Sequence, residues 1–290
     1  MISSGPEDIG GRMFAWLKRQ REPGERNVPI RSIEGDIFNV SVPKPANRES
    51  FFIFGLPKAG STLLHNVMRE ACHAAQIPII SIAGDAFNAG IPFAKIGEDV
   101  EKVLYEKGYA YLDFRAFFRF DPQFDFSRFR KVLLIRDPRD MLVSLYFSLK
   151  KSHRIPKQGT LASQMKKTRE KLENMDINTF VLHRVPVVIR QFGRYRPLMD
   201  QNMKLYRYED IIFDKRSWLR DMLEFLDIPL QAEKVNEIAD RHDIRPDREN
   251  VGKHVRQVNP GNFRKRLSPD CIERLNELLS EILHEHGYPL

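Results

Sequence analysis

The sequence predicts an α/β protein of three layers, with a central, mainly parallel sheet and helices on both of its faces. Two continuous apolar runs, at 51–54 and 131–135, are typical of strands covered on both faces. Each run leads directly into a loop with Gly or Pro and then into a stretch with helical periodicity. Ligands of such sheets bind beyond the carboxyl ends of the strands, so we expect both loops to lie at one binding site.

The first of these loops predicts a phosphate-binding cradle. Residues 55–62 read Gly-Leu-Pro-Lys-Ala-Gly-Ser-Thr, and a helix that begins near Ser61 follows. Gly55 and Gly60 permit a close approach of the backbone, while the N–H groups of the helix start attract an anion. The inward positions of this helix are spaced by three and four residues and comprise Leu63, Leu64, Val67, Met68 and Ala71.

The position of the lysine distinguishes this loop from a nucleotide-triphosphate P-loop. Such a loop reads G-x-x-x-x-G-K-[ST], whereas here Ser61 follows the last glycine and the lysine lies inside the loop as Lys58. This arrangement argues against an ordinary kinase or ATPase and favours a different phosphate-ester donor.

The remaining elements are predicted in chain order from apolar periodicity and capping signals. At the second site loop, Asp137 is an expected N-cap and Pro138 the first helical residue. The other predictions are a β-like run at 77–82, a loop at 84–90, a strand at 109–114, a polar excursion at 150–175, a helix at 179–192, a strand at 203–206, helices at 217–226 and 232–241, and a last helix capped by Ser268 whose apolar stripe extends to Leu283.

Length and composition predict one large α/β domain at 50–290, preceded by a lead-in at 1–49 that is packed on the core or partly flexible. Residues 9–19 have an amphipathic pattern, which we interpret as a helix docked on its own domain, with membrane contact as the alternative. The sequence shows no signal-peptide pattern and no run of about 18 apolar residues. Because Cys72 and Cys271 have no metal-type or disulfide spacing, we expect a reducing, cytoplasmic location.

The chain is basic, with 47 Lys+Arg against 39 Asp+Glu and a net charge of +8. Such a surplus suits an anionic ligand, nucleic acid or an acidic membrane surface. We expect no nucleic-acid binding, because the sequence has no zinc pattern, RNP motif or interleaving of aromatic and basic residues. No carboxylate cluster in the sequence suggests a metal site. An oligomeric state cannot be inferred from the sequence.

Taken together, three motifs make the sequence resemble the sulfotransferase family that uses 3′-phosphoadenosine 5′-phosphosulfate (PAPS), over roughly residues 51–290. The first is Pro57-Lys58-Ala59-Gly60-Ser61-Thr62, which matches the P-K-[SAT]-G-[ST]-[ST] loop for the 5′-phosphosulfate. Arg136 and Ser144, eight residues apart, match the pair that holds the 3′-phosphate. Residues 256–263 partly match the closing segment R-K-G-x-x-G-[DN]-[WF].

The resemblance implies a P-loop-like sulfotransferase fold and a set of donor-binding residues. Gln257 and Val258 depart from the lysine and glycine of the closing segment, and the basic residues at 264–266 are a further source of the missing charge. The donor-binding residues implied are Pro57, Lys58, Ala59, Gly60, Ser61, Thr62, Arg136, Ser144, Tyr208, Arg256 and Gly261.

The implied reaction is transfer of a sulfuryl group from PAPS to a hydroxyl or amine, without a metal. Lys58 is placed to stabilise the negative charge that develops on the oxygen bridging to the 5′-phosphate. The general base stays open among Asp113 at the end of the 109–114 strand, Asp85 in the loop at 84–90, and His65 on the helix after the cradle.

Two other functions and several acceptors stay open at this point. The alternatives are a P-loop kinase of a nucleoside or small molecule and a non-catalytic module that binds polyanions. The acceptor is a carbohydrate, a lipid or a small alcohol, with peripheral membrane contact possible. The phenylalanines at 87, 93, 114, 117, 118 and 120 either line an apolar acceptor pocket or belong to the core.

Overall fold

The computed structural model describes residues 25–118, 120, 122–152, 160–243 and 258–290. Five parallel strands form the central sheet, in the order β4-β5-β3-β6-β7, and two further strands form an antiparallel hairpin. The strands are β1 (Arg26–Arg31), β2 (Ile37–Val42), β3 (Phe51–Gly55), β4 (Ile79–Ile80), β5 (Ala110–Phe114), β6 (Lys131–Ile135) and β7 (Met203–Arg207).

Helices cover both faces of this sheet, as the sequence predicts. They are α1 (Ser61–Ala74), α2 (Ile82–Asn88), α3 (Pro138–Phe147), α4 (Thr160–Leu172), α5 (Ile177–Tyr195), α6 (Tyr208–Ile211), α7 (Lys215–Phe225), α8 (Ala232–Arg241), α9 (Phe263–Arg266), α10 (Pro269–Leu278) and α11 (Ser280–Glu285). Short 3-10 turns at Phe93–Lys95, Glu98–Val103, Phe126–Arg128 and Arg196–Leu198 and a π turn at Ser148–Ser152 complete the connections.

The central strand β3 is buried along its whole length because hydrophobic layers cover it on both sides. Its alternate residues divide between two cores: Phe52 and Phe54 pack in one, and Ile53 packs in the other. β3 pairs with β6 so that Gly55 lies opposite Leu134. The carboxyl ends of these two strands therefore lie side by side, which confirms the predicted meeting of their loops.

The hairpin β1–β2 was not predicted, since the sequence analysis assigned it to the lead-in. Its second strand alternates buried and less buried positions, and Phe38, Val40 and Val42 belong to the same core as Phe54. The turn between the strands contains Gly35 with φ +91°, a backbone conformation that glycine adopts without strain.

Two other elements differ from the predictions. The segment expected to be a loop at 84–90 is mostly helix α2, and the predicted last helix divides at Leu279 into α10 and α11. The predicted helix at 9–19, together with Arg256 and Gln257, lies outside the described residues. Within the part of the chain that the structure describes, no helix is long and apolar enough to cross a membrane.

Candidate functional site

The loop after β3 forms a tight turn that ends at the start of α1. Lys58 has φ +69° and Gly60 has φ +92°, and Gly60 is the N-cap of the helix. No side chain caps this helix start. The first-turn amides of a helix have no partner within the helix, so this geometry suits an anion at the N-terminus of α1.

Tyr208, the first residue of α6, joins the loop to the end of β6. A Cβ added to Gly60 would lie 2.8 Å from Cδ2 of Tyr208, so only glycine permits this close packing. On the same ring, the Arg136 guanidinium lies 4.3 Å from the centroid. The Tyr208 hydroxyl donates to the Val258 carbonyl at 3.0 Å. One tyrosine therefore contacts all three segments that the sequence motifs singled out.

Arg136 is buried at the carboxyl end of β6, with 6% of its surface exposed. Its Nη2 atom donates to Oδ2 of Asp140 at 3.1 Å. Its Nε atom is buried without a hydrogen-bond partner, and the same holds for Nδ2 of Asn262. Unpaired buried donors are costly, so these two atoms fit a site that receives an anionic ligand.

Asp140 is a site residue that the sequence analysis missed. Besides pairing with Arg136, its carboxylate accepts the backbone N–H groups of Gly261, at 2.8 Å, and Phe263, at 2.9 Å. Asp140 thereby fixes residues 261–263 against the turn between β6 and α3. Its spacing of four residues from Arg136 was a signal that could have identified it.

Residues beyond the motifs hold the 136–140 turn in place. Asp137 is the N-cap of α3, as predicted, and its carboxylate pairs with the fully buried Arg139. The Asp137 N–H donates to Oε1 of Glu209 at 3.0 Å, and the hydroxyl of Tyr288 donates to Oε2 of the same carboxylate at 3.2 Å. This network leaves the backbone on either side of Arg136 little freedom.

The other predicted donor-binding residues occupy the same end of the sheet where the structure describes them. Ser144 lies partly exposed on α3, two helical turns beyond Arg136. Asp140 and Ser144 are four residues apart on this helix and so lie on one face of it, and Asp140 also pairs with Arg136. Gly261 has φ +78°, which lets the chain turn as its N–H meets Asp140.

Asp113 is the next-to-last residue of β5 and has a left-handed conformation with φ +68°. Its Oδ2 atom accepts hydrogen bonds from Arg69 and Ser81. Burial opposes the ionisation of this carboxyl, but Arg69, His65 and the Ser81 hydroxyl outweigh it and lower the pKa of Asp113 to about 2. The group is therefore an ionised carboxylate at neutral pH.

His65 supports Asp113 from helix α1. Its Nδ1 atom accepts the backbone N–H of Asp113 at 3.1 Å, which assigns the proton of the neutral ring to Nε2. Burial lowers the pKa of His65 to about 4, so the ring is neutral at pH 7. Because Nδ1 is occupied and Nε2 carries the proton, this ring is poorly arranged to act as the general base.

Asp85 lies on α2 rather than in the predicted loop. It is partly buried, and its Oδ2 atom accepts the backbone N–H of Ser41 at 3.1 Å. The preceding residue, Gly84, lies against Asp113, since a Cβ there would be 3.4 Å from Oδ2 of that carboxylate. The structure therefore brings two of the predicted base candidates into one region.

Three of the candidate pocket aromatics belong to the core. Phe114, Phe117 and Phe118 are all less than a tenth exposed and pack ring against ring. Phe54 of β3 lies 5.3 Å from Phe114, centroid to centroid. The groups that converge beside Asp113 are instead a guanidinium and a hydroxyl. Among the described residues, no group of His, Cys, Asp and Glu side chains is arranged to hold a metal ion.

Known proteins resemble this chain in sequence family and in fold. A family profile described as the sulfotransferase domain matches residues 48–287. Among solved structures, mouse sulfotransferase SULT7A1 complexed with PAP is similar, with a TM-score of 0.52 and 15% identity, over 83% of this chain and 87% of that one. Retinol dehydratase in complex with androsterone and PAP has a TM-score of 0.49 and 14% identity, over 92% and 93%.

The search of curated proteins gave no significant match. At 15% identity, the likeness to the mouse enzyme establishes a shared fold, which confirms the predicted sulfotransferase-like α/β architecture. The family profile extends over most of the chain, from a point after the hairpin to the end of the last helix. The chain therefore belongs to the sulfotransferase family.

Proposed function

We propose that this protein transfers a sulfuryl group from PAPS to a hydroxyl or amine of an acceptor. One observation carries the proposal: the cradle at 55–62 and Arg136 meet through Tyr208 at the carboxyl ends of two adjacent parallel strands. The donor has an anionic group at each end, and this arrangement offers an anion-binding element for each. The bound PAP of the mouse relative supports the choice of donor.

In this proposal the cradle holds the 5′-phosphosulfate. Pro57 and Ala59 shape the turn, the amides of the α1 start face the phosphate, and the Ser61 and Thr62 hydroxyls add hydrogen bonds. Arg136 and Ser144 hold the 3′-phosphate, and the unpaired Nε–H of Arg136 supplies a donor for it. Tyr208, Gly261 and Arg256 complete the enclosure of the nucleotide.

The reaction forms a bond between the acceptor oxygen or nitrogen and sulfur, and breaks the bond from sulfur to the oxygen that bridges to the 5′-phosphate. The leaving product is adenosine 3′,5′-bisphosphate. We assign to Lys58 the stabilisation of the negative charge that develops on the bridging oxygen. As in phosphoryl transfer, the protein acts mainly by positioning and charge stabilisation, and no metal is required for this role.

The proton of the acceptor needs a recipient, and we propose Asp113 for this role, with Asp85 as the alternative. A carboxylate with a pKa of about 2 is a weak base at neutral pH. In a loose transition state the acceptor proton is lost late, so accurate orientation of the hydroxyl matters more than basicity. We favour Asp113 because Arg69 and Ser81 both bind its carboxylate next to the strand that leads into the cradle, whereas Asp85 lies on α2 and accepts the Ser41 N–H.

The acceptor class is open among carbohydrates, lipids and small alcohols, and we place the reaction in the cytoplasm. Both cysteines, Cys72 and Cys271, are free and buried, which suits a reducing compartment.

The test is incubation with ³⁵S-labelled PAPS, without magnesium, and with three acceptors: an amino-sugar oligosaccharide, a long-chain alcohol and a phenol. We expect label transfer to at least one acceptor, and its loss in the Lys58→Ala variant. A parallel incubation with γ-³²P-labelled ATP and magnesium should transfer no label. Transfer from ATP, together with no cleavage of PAPS, would contradict the proposal.

A further inference from the structure

The backbone at Asp113 carries a bulge that the sequence pattern does not show. β5 pairs with β3 at Tyr111, opposite Phe52, and again at Phe114, opposite Phe54. Two residues of β5 therefore face one residue of β3, and the second of them, Asp113, has φ +68°. Bulges re-aim side chains near functional sites, and a non-glycine residue adopts the left-handed conformation only at an energetic cost.

Residues of α1 and of the segment that begins α2 hold the bulge. Arg69, on α1, and Ser81, just before α2, both donate to Oδ2 of Asp113. His65 accepts the Asp113 backbone N–H at 3.1 Å, which fixes the strained peptide itself. Gly84 completes the enclosure, because a Cβ at this position would collide with the Ser81 Oγ atom.

Both side-chain donors bind one oxygen of the carboxylate. Within the described residues no hydrogen bond to Oδ1 is formed, and 18% of the Asp113 side chain is exposed. The strand that carries Asp113 is the immediate neighbour of β3, whose loop is the cradle. The carboxylate therefore lies at the same sheet edge as the proposed donor, with one oxygen fixed and the other accessible.

We propose that Arg69 and Ser81 are positioning residues that hold Asp113 by Oδ2, so that Oδ1 accepts the hydrogen bond of the acceptor. This inference rests on the proposed function and deepens it. In the transfer step the acceptor O–H donates to Oδ1. As the bond from the acceptor oxygen to sulfur forms and the bridging S–O bond breaks, the proton passes to Oδ1 and then to solvent.

The test is a double-mutant cycle between Ser81→Ala and Asp113→Asn. The probe is release of inorganic sulfate from ³⁵S-labelled PAPS, in which water is the acceptor. Asparagine tolerates the left-handed conformation, so Asp113→Asn keeps the bulge and removes the charge. We expect a loss of about a hundredfold for Asp113→Asn and about tenfold for Ser81→Ala. If Ser81 acts through Asp113, the double variant is no slower than Asp113→Asn.

Arg69 is tested in the same way, with Arg69→Gln expected to lower the rate and Arg69→Lys to restore part of it. Two matched controls break similar contacts elsewhere. Ser127→Ala removes a serine–aspartate hydrogen bond at Asp125, and Arg241→Gln removes an ion pair to Glu70 on α1. We expect both controls to release sulfate at the wild-type rate.

Independent, multiplicative losses for Ser81→Ala and Asp113→Asn would overturn the inference, as would a wild-type rate for Ser81→Ala. The binding of adenosine 3′,5′-bisphosphate should be unchanged in all these variants, because none of them replaces a residue of the 55–62 cradle, Arg136 or Ser144. Wild-type protein that binds this nucleotide but releases no sulfate would overturn the positioning inference while donor recognition stands. Wild-type protein that does neither would contradict the proposed function itself.

Discussion

Replacing Gly60 by alanine tests whether the cradle depends on close packing against Tyr208. Gly35, in the hairpin turn, provides a matched control. The two glycines have nearly the same φ, +92° at Gly60 and +91° at Gly35. A Cβ at Gly35 would meet no atom within 4 Å, whereas a Cβ at Gly60 would lie 2.8 Å from one ring carbon of Tyr208 and 3.1 Å from another.

The expected losses of unfolding free energy follow from these two geometries. A non-glycine residue in the left-handed region costs about 1–2 kcal/mol, and this cost applies to both variants. The Tyr208 ring has little room to move, since Arg136 stacks on it and its hydroxyl is bonded to the Val258 carbonyl. Overpacking against such a ring adds about 1–3 kcal/mol. Gly60→Ala should thus cost about 2–5 kcal/mol and Gly35→Ala about 1–2 kcal/mol.

Urea unfolding at pH 7 measures both losses, and calorimetry measures the binding of adenosine 3′,5′-bisphosphate. We expect Gly60→Ala to weaken binding at least tenfold and Gly35→Ala to leave it unchanged, because only Gly60 forms part of the proposed cradle. Equal losses of stability in the two variants would refute the packing argument. Normal nucleotide binding by a folded Gly60→Ala protein would refute the role of the turn.

Three further predictions test the donor site and the buried histidine. Lys58→Ala should lower PAPS turnover by about a hundredfold or more while the affinity for adenosine 3′,5′-bisphosphate falls only slightly; near-normal turnover would remove Lys58 from the mechanism. Arg136→Ala should weaken the binding of the bisphosphate more than the binding of AMP, and Arg136→Lys is the variant that keeps a charge beside Asp140. An equal loss of affinity for both nucleotides would make Arg136 structural. His65 has a folded pKa of about 4 against 6.5 for an ordinary histidine, so the unfolded chain binds the proton first as the pH falls. Stability should therefore drop by about 3 kcal/mol between pH 7 and pH 4, and urea unfolding of His65→Asn should show a clearly smaller drop.

The strands and loops that hold the donor site could be predicted because their signals are local. Continuous apolar runs marked β3 and β6, and Asp137 followed by Pro138 marked the start of α3. The turn at Gly60 was likewise contained in a short motif. These features depend on neighbouring residues in the chain, so the sequence pattern was sufficient.

The hairpin and helix α2 were missed because tertiary contacts decide them. Clusters of Gly, Pro and charge flank the hairpin strands and suggested a lead-in packed on the core or partly flexible, whereas the strands themselves depend on the packing of Phe38 and Val40 in the main core. In α2, Gly84 lowers the helix propensity, but a larger residue there would collide with the Ser81 Oγ atom. Local periodicity reveals neither the packing of the hairpin on the core nor the close contact between Gly84 and Ser81.

The role of Asp140 and the bulge at Asp113 depend on contacts between distant parts of the chain. Asp140 binds backbone groups of Gly261 and Phe263, which lie more than 100 residues further along. The bulge follows from the register between β3 and β5, and the residue types of these strands do not predict that register. Sequence reasoning could name Asp113 as a candidate but could not give its conformation or its partners.

The central claim is that the site recognises the 3′-phosphorylated nucleotide of a sulfuryl donor. Calorimetric titration of the wild-type protein with adenosine 3′,5′-bisphosphate, without metal, alongside AMP and Mg-ATP, tests it most directly. We predict tight binding of the bisphosphate and binding of AMP that is weaker by at least tenfold. Preference for Mg-ATP, or equal affinity for the bisphosphate and AMP, would contradict the claim.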